Sequence, residues 1–222
     1  MPFSPPPPAM IFDLDGTLVD TVPARIEAWL AVFGEVGIPA TGAQLGPLIG
    51  MDGPRLAIEV AQAAGTPIEG TAAEAIDHRA GELFDEVNRD PQPLPGARDA
   101  LAMLDRAGVT WAIATSSRAA QVSRSVDALR LERPPRVVDG SSVEHAKPAP
   151  DLLLLAAQRL ELDPVGLWYV GDSTWDMRAA DAAQMLPIGV LAGAAVSQET
   201  LNEAGAKVIW RSLRDLRAFG WA

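Results

Sequence analysis

The chain has 222 residues, and 48% of them are hydrophobic, which is enough to bury one large core or two smaller ones. Its 29 acidic residues outnumber 18 basic ones, and the net charge of −11 argues against a nucleic-acid partner, because nucleic-acid binding depends on cationic contacts to phosphates. There is no cysteine, and no apolar stretch is long enough to cross a membrane. We therefore expect a soluble cytoplasmic protein without a membrane partner, with a proline-rich extended tail over residues 1–8.

The first predicted element is a short buried strand over residues 10–12, and two acids follow it directly. Asp13 and Asp15 stand two residues apart, although ionised carboxylates are costly to bury without partners. Gly16 then allows the backbone to turn sharply, and Thr17 supplies a hydroxyl. Because ligands bind at the carboxyl ends of strands in open α/β sheets, we interpret this segment as part of a reaction centre.

Residues 23–92 contain no convincing strand, and they predict an all-helical domain inserted after the first strand. The helical patterns cover residues 25–36, 43–48, 54–64 and 71–87. A proline-rich segment at residues 91–96 then leads back to the sheet. We therefore predict two domains, an α/β core formed by residues 9–22 and 93–222 and an inserted helical domain formed by residues 23–92.

Five further apolar runs predict the remaining strands, at residues 110–114, 136–138, 167–170, 187–191 and 207–209. Amphipathic segments predict helices between most of them, at residues 95–107, 150–162 and 177–184. Strands that alternate with helices indicate parallel βα units. The predicted fold class is therefore α/β, with a doubly wound, mostly parallel, Rossmann-like sheet.

Hydroxyls and a lysine lie after two of the later strands. Thr115, Ser116 and Ser117 directly follow the strand at residues 110–114, where they suit a phosphate oxygen, although serine and threonine are also ordinary helix caps. Lys147 is one of only two lysines in the chain and lies in a loop just before a predicted helix. It would supply a compact positive charge at the same edge of the sheet, unless it is a solvated surface lysine.

A second group of acids follows the strand at residues 167–170. Asp172 comes one residue beyond Gly171, which directly follows the strand, and Asp176 follows four residues later. If a helix starts near Ser173, Asp176 lies in its first turn and can point back toward Asp172. An N-cap and a helix-dipole acid would explain the same residues without a ligand.

Together, the polar groups at the strand ends compose a phosphoryl-transfer site, since parallel strands would bring them to one edge of the sheet. Asp13 would attack phosphorus as a covalent nucleophile, and Asp15 would serve as general acid and then as general base. Lys147 and Thr115 would hold the transferred phosphoryl group. Magnesium prefers hard oxygen ligands. The predicted Mg²⁺ ligands are Asp13, Asp15 through a backbone carbonyl, Asp172 and Asp176.

In this order, the motifs resemble those of the haloacid dehalogenase superfamily of phosphohydrolases. The first motif, DxDGT, appears as residues 13–17, and the fourth, GDxxxD, appears as residues 171–176. Thr115 and Lys147 stand at the places of the second and third motifs, and the match spans roughly residues 9–190. The inserted helices are similar to the helical cap of the subfamily that includes phosphoglycolate phosphatase and β-phosphoglucomutase.

The resemblance implies a Mg²⁺-dependent phosphatase that hydrolyses a phosphate monoester of phosphoglycolate or sugar phosphate type through an aspartyl-phosphate intermediate. The implied partner is a small phosphorylated metabolite. Arg25 lies one turn beyond the hinge into the inserted domain, and Arg55 lies in a loop at the place of the subfamily's substrate-specificity loop. The residues predicted to contact the phosphate or the substrate are Gly16, Thr17, Ser116, Ser117, Arg25 and Arg55.

Differences between this sequence and other members of the superfamily narrow the range of predicted activities. Dehalogenases lack the second aspartate of the first motif, so Asp15 favours phosphoryl chemistry. Phosphonate-cleaving relatives use a cap lysine, and residues 23–92 contain none. β-Phosphoglucomutases usually carry a histidine where this chain has Arg25, which favours a phosphatase and leaves a sugar-phosphate mutase as an alternative. A non-catalytic phospho-accepting module, such as a response-regulator receiver, is a further alternative.

Overall fold

The structure is a computed structural model that describes residues 6–219, so most of the predicted tail over residues 1–8 lies outside the described residues. Neighbouring strands pair in the order β3-β2-β1-β4-β5-β6, and every pairing is parallel. The strands are β1 (Ala9–Phe12), β2 (Thr110–Ala114), β3 (Val137–Val138), β4 (Trp168–Gly171), β5 (Leu186–Val190) and β6 (Val208–Trp210). The predicted α/β fold with a doubly wound parallel sheet is confirmed.

The helices are α1 (Val22–Glu35), α2 (Gly42–Leu45), α3 (Gly53–Ala63), α4 (Gly70–Val87), α5 (Ala97–Arg106), α6 (Ala119–Ala128), α7 (Asp151–Leu160), α8 (Thr174–Ala182) and α9 (Gln198–Glu203), with 3₁₀ turns at Gly46–Leu48, Gly140–Ser142 and Leu213–Phe219. The helix predicted over residues 43–48 divides after Leu45, where a 3₁₀ turn containing Pro47 begins. The sequence patterns did not predict α6 and α9. Within residues 6–219, no helix combines the length and the apolar character needed to cross a membrane.

β1 lies at the centre of the sheet, where the direction of winding reverses. The chain runs from β1 to β2 and β3 on one side, and then crosses to β4, β5 and β6 on the other. Phe12 at the end of β1 is in register with Ile113 of β2 and with Val170 of β4. The residues that follow these three strands therefore leave the sheet side by side, at the switch point where doubly wound folds bind ligands.

Alternate residues of β1 pack on opposite faces of the sheet, as the period of a strand requires. Met10 and Phe12 join a hydrophobic core with Leu101 and Leu104 of α5. Ala9 and Ile11 join a second core with residues of α7 and α8. Helices therefore cover both faces, and all four residues of β1 are buried.

Helices α1 to α4, called here the helical layer, enclose a hydrophobic cluster that includes Phe33, Leu56 and Ile76. Helix α4 packs against both α1 and α3. Trp175 of α8 belongs to the same cluster, and its indole N–H donates to the carbonyl of Pro47 (3.1 Å). The helical layer therefore rests on the edge of the sheet from which the polar motifs emerge. Its definition as a separate domain over residues 23–92 stays a prediction.

The chain enters and leaves the helical layer at one place. The backbone N–H of Asp20 donates to the carbonyl of Gln92 (2.8 Å), and the N–H of Leu94 donates to the carbonyl of Leu18 (2.9 Å). These two bonds hold the outgoing and returning segments side by side. Any movement of the helical layer relative to the sheet would have to hinge at this pair of segments.

Candidate active site

The acids of the first and fourth motifs meet at the carboxyl ends of two adjacent strands. Asp13 follows β1 and Asp172 follows β4. The backbone N–H of Asp13 donates to the carbonyl of Val170 (2.8 Å), which ties the two strand ends together. One carboxylate oxygen from each of Asp13, Asp172 and Asp176 lies within 4.8 Å of the others. We call these three residues the acid cluster.

A cleft of about 350 Å³ lies between this edge of the sheet and the helical layer. Asp13, Thr115 and Lys147 line it on the side of the sheet. Trp29 of α1 and Phe84 of α4 line it on the side of the helical layer. The volume suits a small metabolite, and the motif residues lie where such a molecule would be enclosed.

The acid cluster is buried, and its members are 5%, 4% and 1% exposed for Asp13, Asp172 and Asp176. Burial raises the pKa of Asp13 to about 7, against the opposing effect of Lys147. Burial also raises the pKa of Asp172 well above its ordinary value, and repulsion from Asp176 and Asp13 adds to the rise. Three carboxylates beside one lysine leave an excess of negative charge, and their hard oxygens are the ligands that Mg²⁺ prefers. The acid cluster therefore fits a divalent cation.

Lys147 is the cation within this cluster, and it is 2% exposed. Its Nζ donates to Oδ1 of Asp13 (2.6 Å) and to Oδ1 of Asp176 (2.7 Å). Burial disfavours the charged amine, but the two carboxylates outweigh burial and raise the pKa of Lys147 well above its ordinary value. A protonated ammonium therefore stands beside Asp13, where it could bind an anionic oxygen.

Asp176 connects the start of α8 to Lys147. Its Oδ2 accepts hydrogen bonds from the backbone N–H of Ser173 (3.0 Å) and from the Ser173 hydroxyl (2.6 Å). The Ser173 hydroxyl accepts in turn from the N–H of Asp176 (3.2 Å), which completes a capping box. Oδ1 faces Lys147 and lies 3.1 Å from the hydroxyl of Tyr169. Both oxygens thus have protein partners, and Oδ1 holds Lys147 in place. The predicted role of Asp176 as a metal ligand stays a prediction.

Gly16 and Thr17 act on Asp172, and neither lines the cleft. The Thr17 hydroxyl donates to Oδ1 of Asp172 (2.9 Å). Gly16 has a φ of +78°, and a Cβ at this position would lie 2.3 Å from Oδ2 of Asp172. A side chain at residue 16 would therefore be strained and would collide with that carboxylate. In this structure both residues position an acid, and their predicted contact with the phosphate stays a prediction.

Asp15 stands apart from the acid cluster and has partners of its own. Its Oδ1 accepts from the hydroxyl of Thr21 (2.6 Å). Its Oδ2 accepts from the hydroxyl of Ser117 and from Nη2 of Arg25 (3.2 Å). Burial acts to raise the pKa of Asp15, but the Arg25 charge and the three hydrogen bonds outweigh it and lower the pKa below its usual value. The side chain of Asp15 is therefore held ionised, and its hydrogen-bond partners are separate from those of Lys147.

Arg25 reaches from α1 of the helical layer into the sheet side of the cleft. Besides Asp15, its guanidinium donates to the hydroxyl of Ser117 (2.5 Å) and to Oε1 of Gln121 (3.5 Å). The guanidinium carbon also lies 3.7 Å from the centre of the Phe84 ring, a cation–π contact. Arg25 lines the cleft, and in this structure its charge is already matched by Asp15. Its predicted contact with the substrate stays a prediction.

The three hydroxyls after β2 have different partners. The hydroxyl of Thr115 accepts from the N–H of Ser117 (3.1 Å), and Thr115 is 1% exposed. The hydroxyl of Ser116 donates to the carbonyl of Gly50 in the helical layer (3.4 Å). All three line the cleft, and Ser117 is the one that bonds to Asp15.

Arg55, like Gly16 and Thr17, is a predicted site residue that lies outside the lining of the cleft. Its side chain is 56% exposed and pairs with Glu59 one turn along α3 (3.0 Å). Its guanidinium also lies 5.8 Å from the ring of Trp175. This position gives no support to a substrate contact, and that role stays a prediction.

Comparison with known proteins agrees with this geometry. Residues 10–190 match the model of the haloacid dehalogenase-like hydrolase family. Phosphoglycolate phosphatase 1 of Pseudomonas aeruginosa is 34% identical over 218 residues, which cover 95% of this chain and 78% of the relative. The chain belongs to the haloacid dehalogenase-like hydrolase family.

Two further proteins are similar over nearly the whole chain. The N-acetylmuramic acid 6-phosphate phosphatase of Pseudomonas putida is 28% identical over 206 residues, which cover 90% of each chain. The crystal structure of a hydrolase from Pseudomonas syringae matches with a TM-score of 0.89 at 30% identity, covering 95% of this chain and 96% of that one. Within the family, the chain is a phosphatase.

Sequence patterns missed several residues that complete the site. Thr21 and Tyr169 carry no motif, and only the structure shows that they contact Asp15 and Asp176. Ser173 could have been found, because a serine three residues before an acid is the pattern of a capping box. These three residues position the predicted acids. The sequence patterns also missed Asp77 and Arg118, which line the cleft.

Proposed function

We propose that this protein is a Mg²⁺-dependent phosphatase that hydrolyses a small-molecule phosphate monoester through an aspartyl-phosphate intermediate. The proposal is carried by the position of Asp13, whose carboxylate lies beside Lys147 (2.6 Å) and inside the acid cluster, at the edge of the cleft. A carboxylate held beside a fixed ammonium can approach a phosphoryl group whose charge the ammonium and a metal ion neutralise.

In the first step, an oxygen of Asp13 attacks phosphorus, and the bond between phosphorus and the ester oxygen breaks. Asp15 gives its proton to that oxygen, so the leaving group departs as an alcohol. In the second step, Asp15 takes a proton from water as the water attacks phosphorus, and Asp13 is released as a carboxylate. The lowered pKa of Asp15 favours the ionised form that the second step needs, so Asp15 has to enter the first step protonated.

Asp13 and Asp172 would hold the magnesium ion, with Asp176 beside them and the backbone carbonyl of Asp15 as a further oxygen. When bound, the ion supplies positive charge that neutralises phosphoryl oxygens. Lys147 would bind one phosphoryl oxygen, and the hydroxyl of Thr115 would donate to another. Thr17 and Gly16 would keep Asp172 in place for this role.

The substrate would be a small phosphorylated metabolite of phosphoglycolate or sugar phosphate type. The relatives named phosphoglycolate phosphatase and N-acetylmuramic acid 6-phosphate phosphatase support that range. The cytoplasmic location expected from the composition stays a prediction.

The test is phosphate release from p-nitrophenyl phosphate and from a panel of sugar and organic phosphates, with Mg²⁺ or with a chelator. We expect turnover that requires Mg²⁺. When the reaction of a substrate with a radiolabelled phosphoryl group is quenched with acid, the label should remain on Asp13 as the aspartyl phosphate. With β-glucose 1-phosphate, we expect free phosphate and no glucose 6-phosphate, which a mutase would form. A folded protein that releases no phosphate from any of these compounds would contradict the proposal.

A further inference from the structure

An ion pair crosses the cleft between the sheet side and the helical layer. Arg118, just before α6, donates through Nη2 to Oδ2 of Asp77 in α4, and both residues line the cleft. The side chain of Arg118 is 51% exposed, whereas that of Asp77 is only 18% exposed. The arginine is therefore the solvent-exposed member of a pair in the lining of the cleft, and its charge is matched by a more buried acid.

Asp77 packs against the first turn of α3. A Cβ at Gly53 would lie 1.9 Å from Oδ1 of Asp77, so this carboxylate packs where only a glycine leaves room. The positive end of the α3 dipole favours an acid at that position. One oxygen of Asp77 thus rests against α3, and the other accepts from Arg118, which leaves the acid little freedom to release the arginine.

The other cations of the cleft are matched in the same way. Among residues 6–219, the lysine and arginines that line it are Arg25, Arg118 and Lys147, and each is bonded to at least one carboxylate. Asp52 and Asp85 add further acids to the side of the helical layer. The charge of one phosphoryl group would be met by Lys147 and the metal, and the structure holds no unmatched arginine or lysine in the described lining of the cleft for a second anion.

We propose that Asp77 is a specificity-determining residue, which occupies Arg118 and makes the cleft select phosphate monoesters with an uncharged leaving group, such as polyol and sugar phosphates. Substrates with a second anionic group, of which phosphoglycolate is the simplest, are disfavoured. This inference rests on the proposed phosphatase function and chooses between its two substrate types.

The physical reason is a difference in charge between two otherwise similar ligands. A carboxylate at the opening would have to displace Asp77 from Arg118 while remaining close to Asp77, and like charges in a partly desolvated site repel strongly. A hydroxyl in the same place can donate to Asp77 and accept from Arg118 without breaking the pair.

The test compares 2-hydroxyethyl phosphate with 2-phosphoglycolate, which differ only in a hydroxymethyl group against a carboxylate. With the wild-type chain and Mg²⁺, we expect kcat/KM to be higher for 2-hydroxyethyl phosphate. Asp77→Asn should shift the ratio of the two kcat/KM values toward 2-phosphoglycolate by about tenfold, the effect of one charge-assisted hydrogen bond to the freed arginine. Asp77→Ser should shift it in the same direction, and adding Arg118→Gln to Asp77→Asn should remove the gain.

Asp99→Asn is the matched control, because it breaks an exposed Arg217–Asp99 pair (2.7 Å) outside the cleft and should leave the ratio unchanged. A wild-type preference for 2-phosphoglycolate, or an unchanged ratio in folded Asp77→Asn and Asp77→Ser, overturns the assignment of Asp77. If the wild-type protein hydrolyses neither compound nor p-nitrophenyl phosphate, the phosphatase proposal itself fails, and this inference fails with it.

Discussion

Asp13 and Asp15 are two residues apart, and the protein surrounds them in opposite ways. Asp13 lies among acids, where burial raises its pKa to about 7, and a lysine holds one of its oxygens. Asp15 is only partly buried, and Arg25 and hydroxyl donors lower its pKa. The first environment belongs to the sheet, whereas Arg25 comes from the helical layer. Two identical side chains can therefore take different chemical roles, because different parts of the fold supply their partners.

Replacing each aspartate by asparagine tests most directly whether Asp13 and Asp15 have different catalytic roles. Asp13→Asn should lower turnover by at least about 10⁴-fold on every substrate, because an amide cannot attack phosphorus. Asp15→Asn should still form the phospho-enzyme from p-nitrophenyl phosphate, whose leaving group needs no proton, and then hydrolyse it about 10²–10⁴-fold more slowly. Stopped-flow kinetics should show a burst of p-nitrophenol for Asp15→Asn and none for Asp13→Asn. A burst from Asp13→Asn would contradict its role as nucleophile.

Lys147→Met tests the charge balance on the sheet side. The change leaves Asp13 and Asp176 buried without their cation, and breaking a buried pair in this way costs about 3–5 kcal/mol of unfolding free energy. Urea denaturation of the metal-free protein at pH 8 measures the loss. Arg217→Gln breaks an exposed pair with Asp99 and should cost less than about 1 kcal/mol. Equal losses in the two variants would show that Lys147 is not the essential counter-charge.

The acid cluster also predicts how stability depends on pH and magnesium. Between its ordinary value of 3.8 and about 7, native Asp13 binds its proton more tightly than the unfolded chain does. The metal-free protein should therefore lose stability as pH rises through this window, and the raised pKa of Asp172 acts in the same direction. Because Mg²⁺ binds ionised carboxylates, it should raise the melting temperature more at pH 8 than at pH 5. Thermal melting at both pH values checks this, and equal Mg²⁺ effects would argue against a metal site in the cluster.

Two threonines offer a finer comparison, since each donates to one of the acids. Thr17 donates to Asp172 (2.9 Å), and Thr21 donates to Asp15 (2.6 Å). Thr17→Val should raise the Mg²⁺ concentration for half-maximal activity by about tenfold, because it removes the hydrogen bond that orients Asp172, a proposed metal ligand. Thr21→Val should lower kcat by about tenfold and leave the Mg²⁺ requirement unchanged, because it loosens only the acid and base. Magnesium titrations of activity separate the two effects. If both variants change the same parameter, the two acids do not act separately.

Local sequence patterns predicted much of the fold because they carry the strand and helix periods. Each predicted strand agrees with the structure to within one residue at either end, and the acids after β1 and β4 were expected at one edge of the sheet. The patterns failed for α6, whose apolar side chains beyond alanine are the β-branched Val122 and Val126 among serines. They also failed for α9, which has only six residues and is too short to show a period.

The sequence by itself determined which chemical groups stand at the strand ends: paired acids, hydroxyls, a rare lysine and a second pair of acids. The tertiary structure decided their partners. Asp15 pairs with Arg25, Thr17 bonds to Asp172 across 155 positions of sequence, and Asp77 pairs with Arg118 across the cleft. The physical reason is that such contacts depend on the order of strands in the sheet and on the docking of the helical layer. The local period of a strand or a helix carries no information about the order of the strands or about how the helical layer docks.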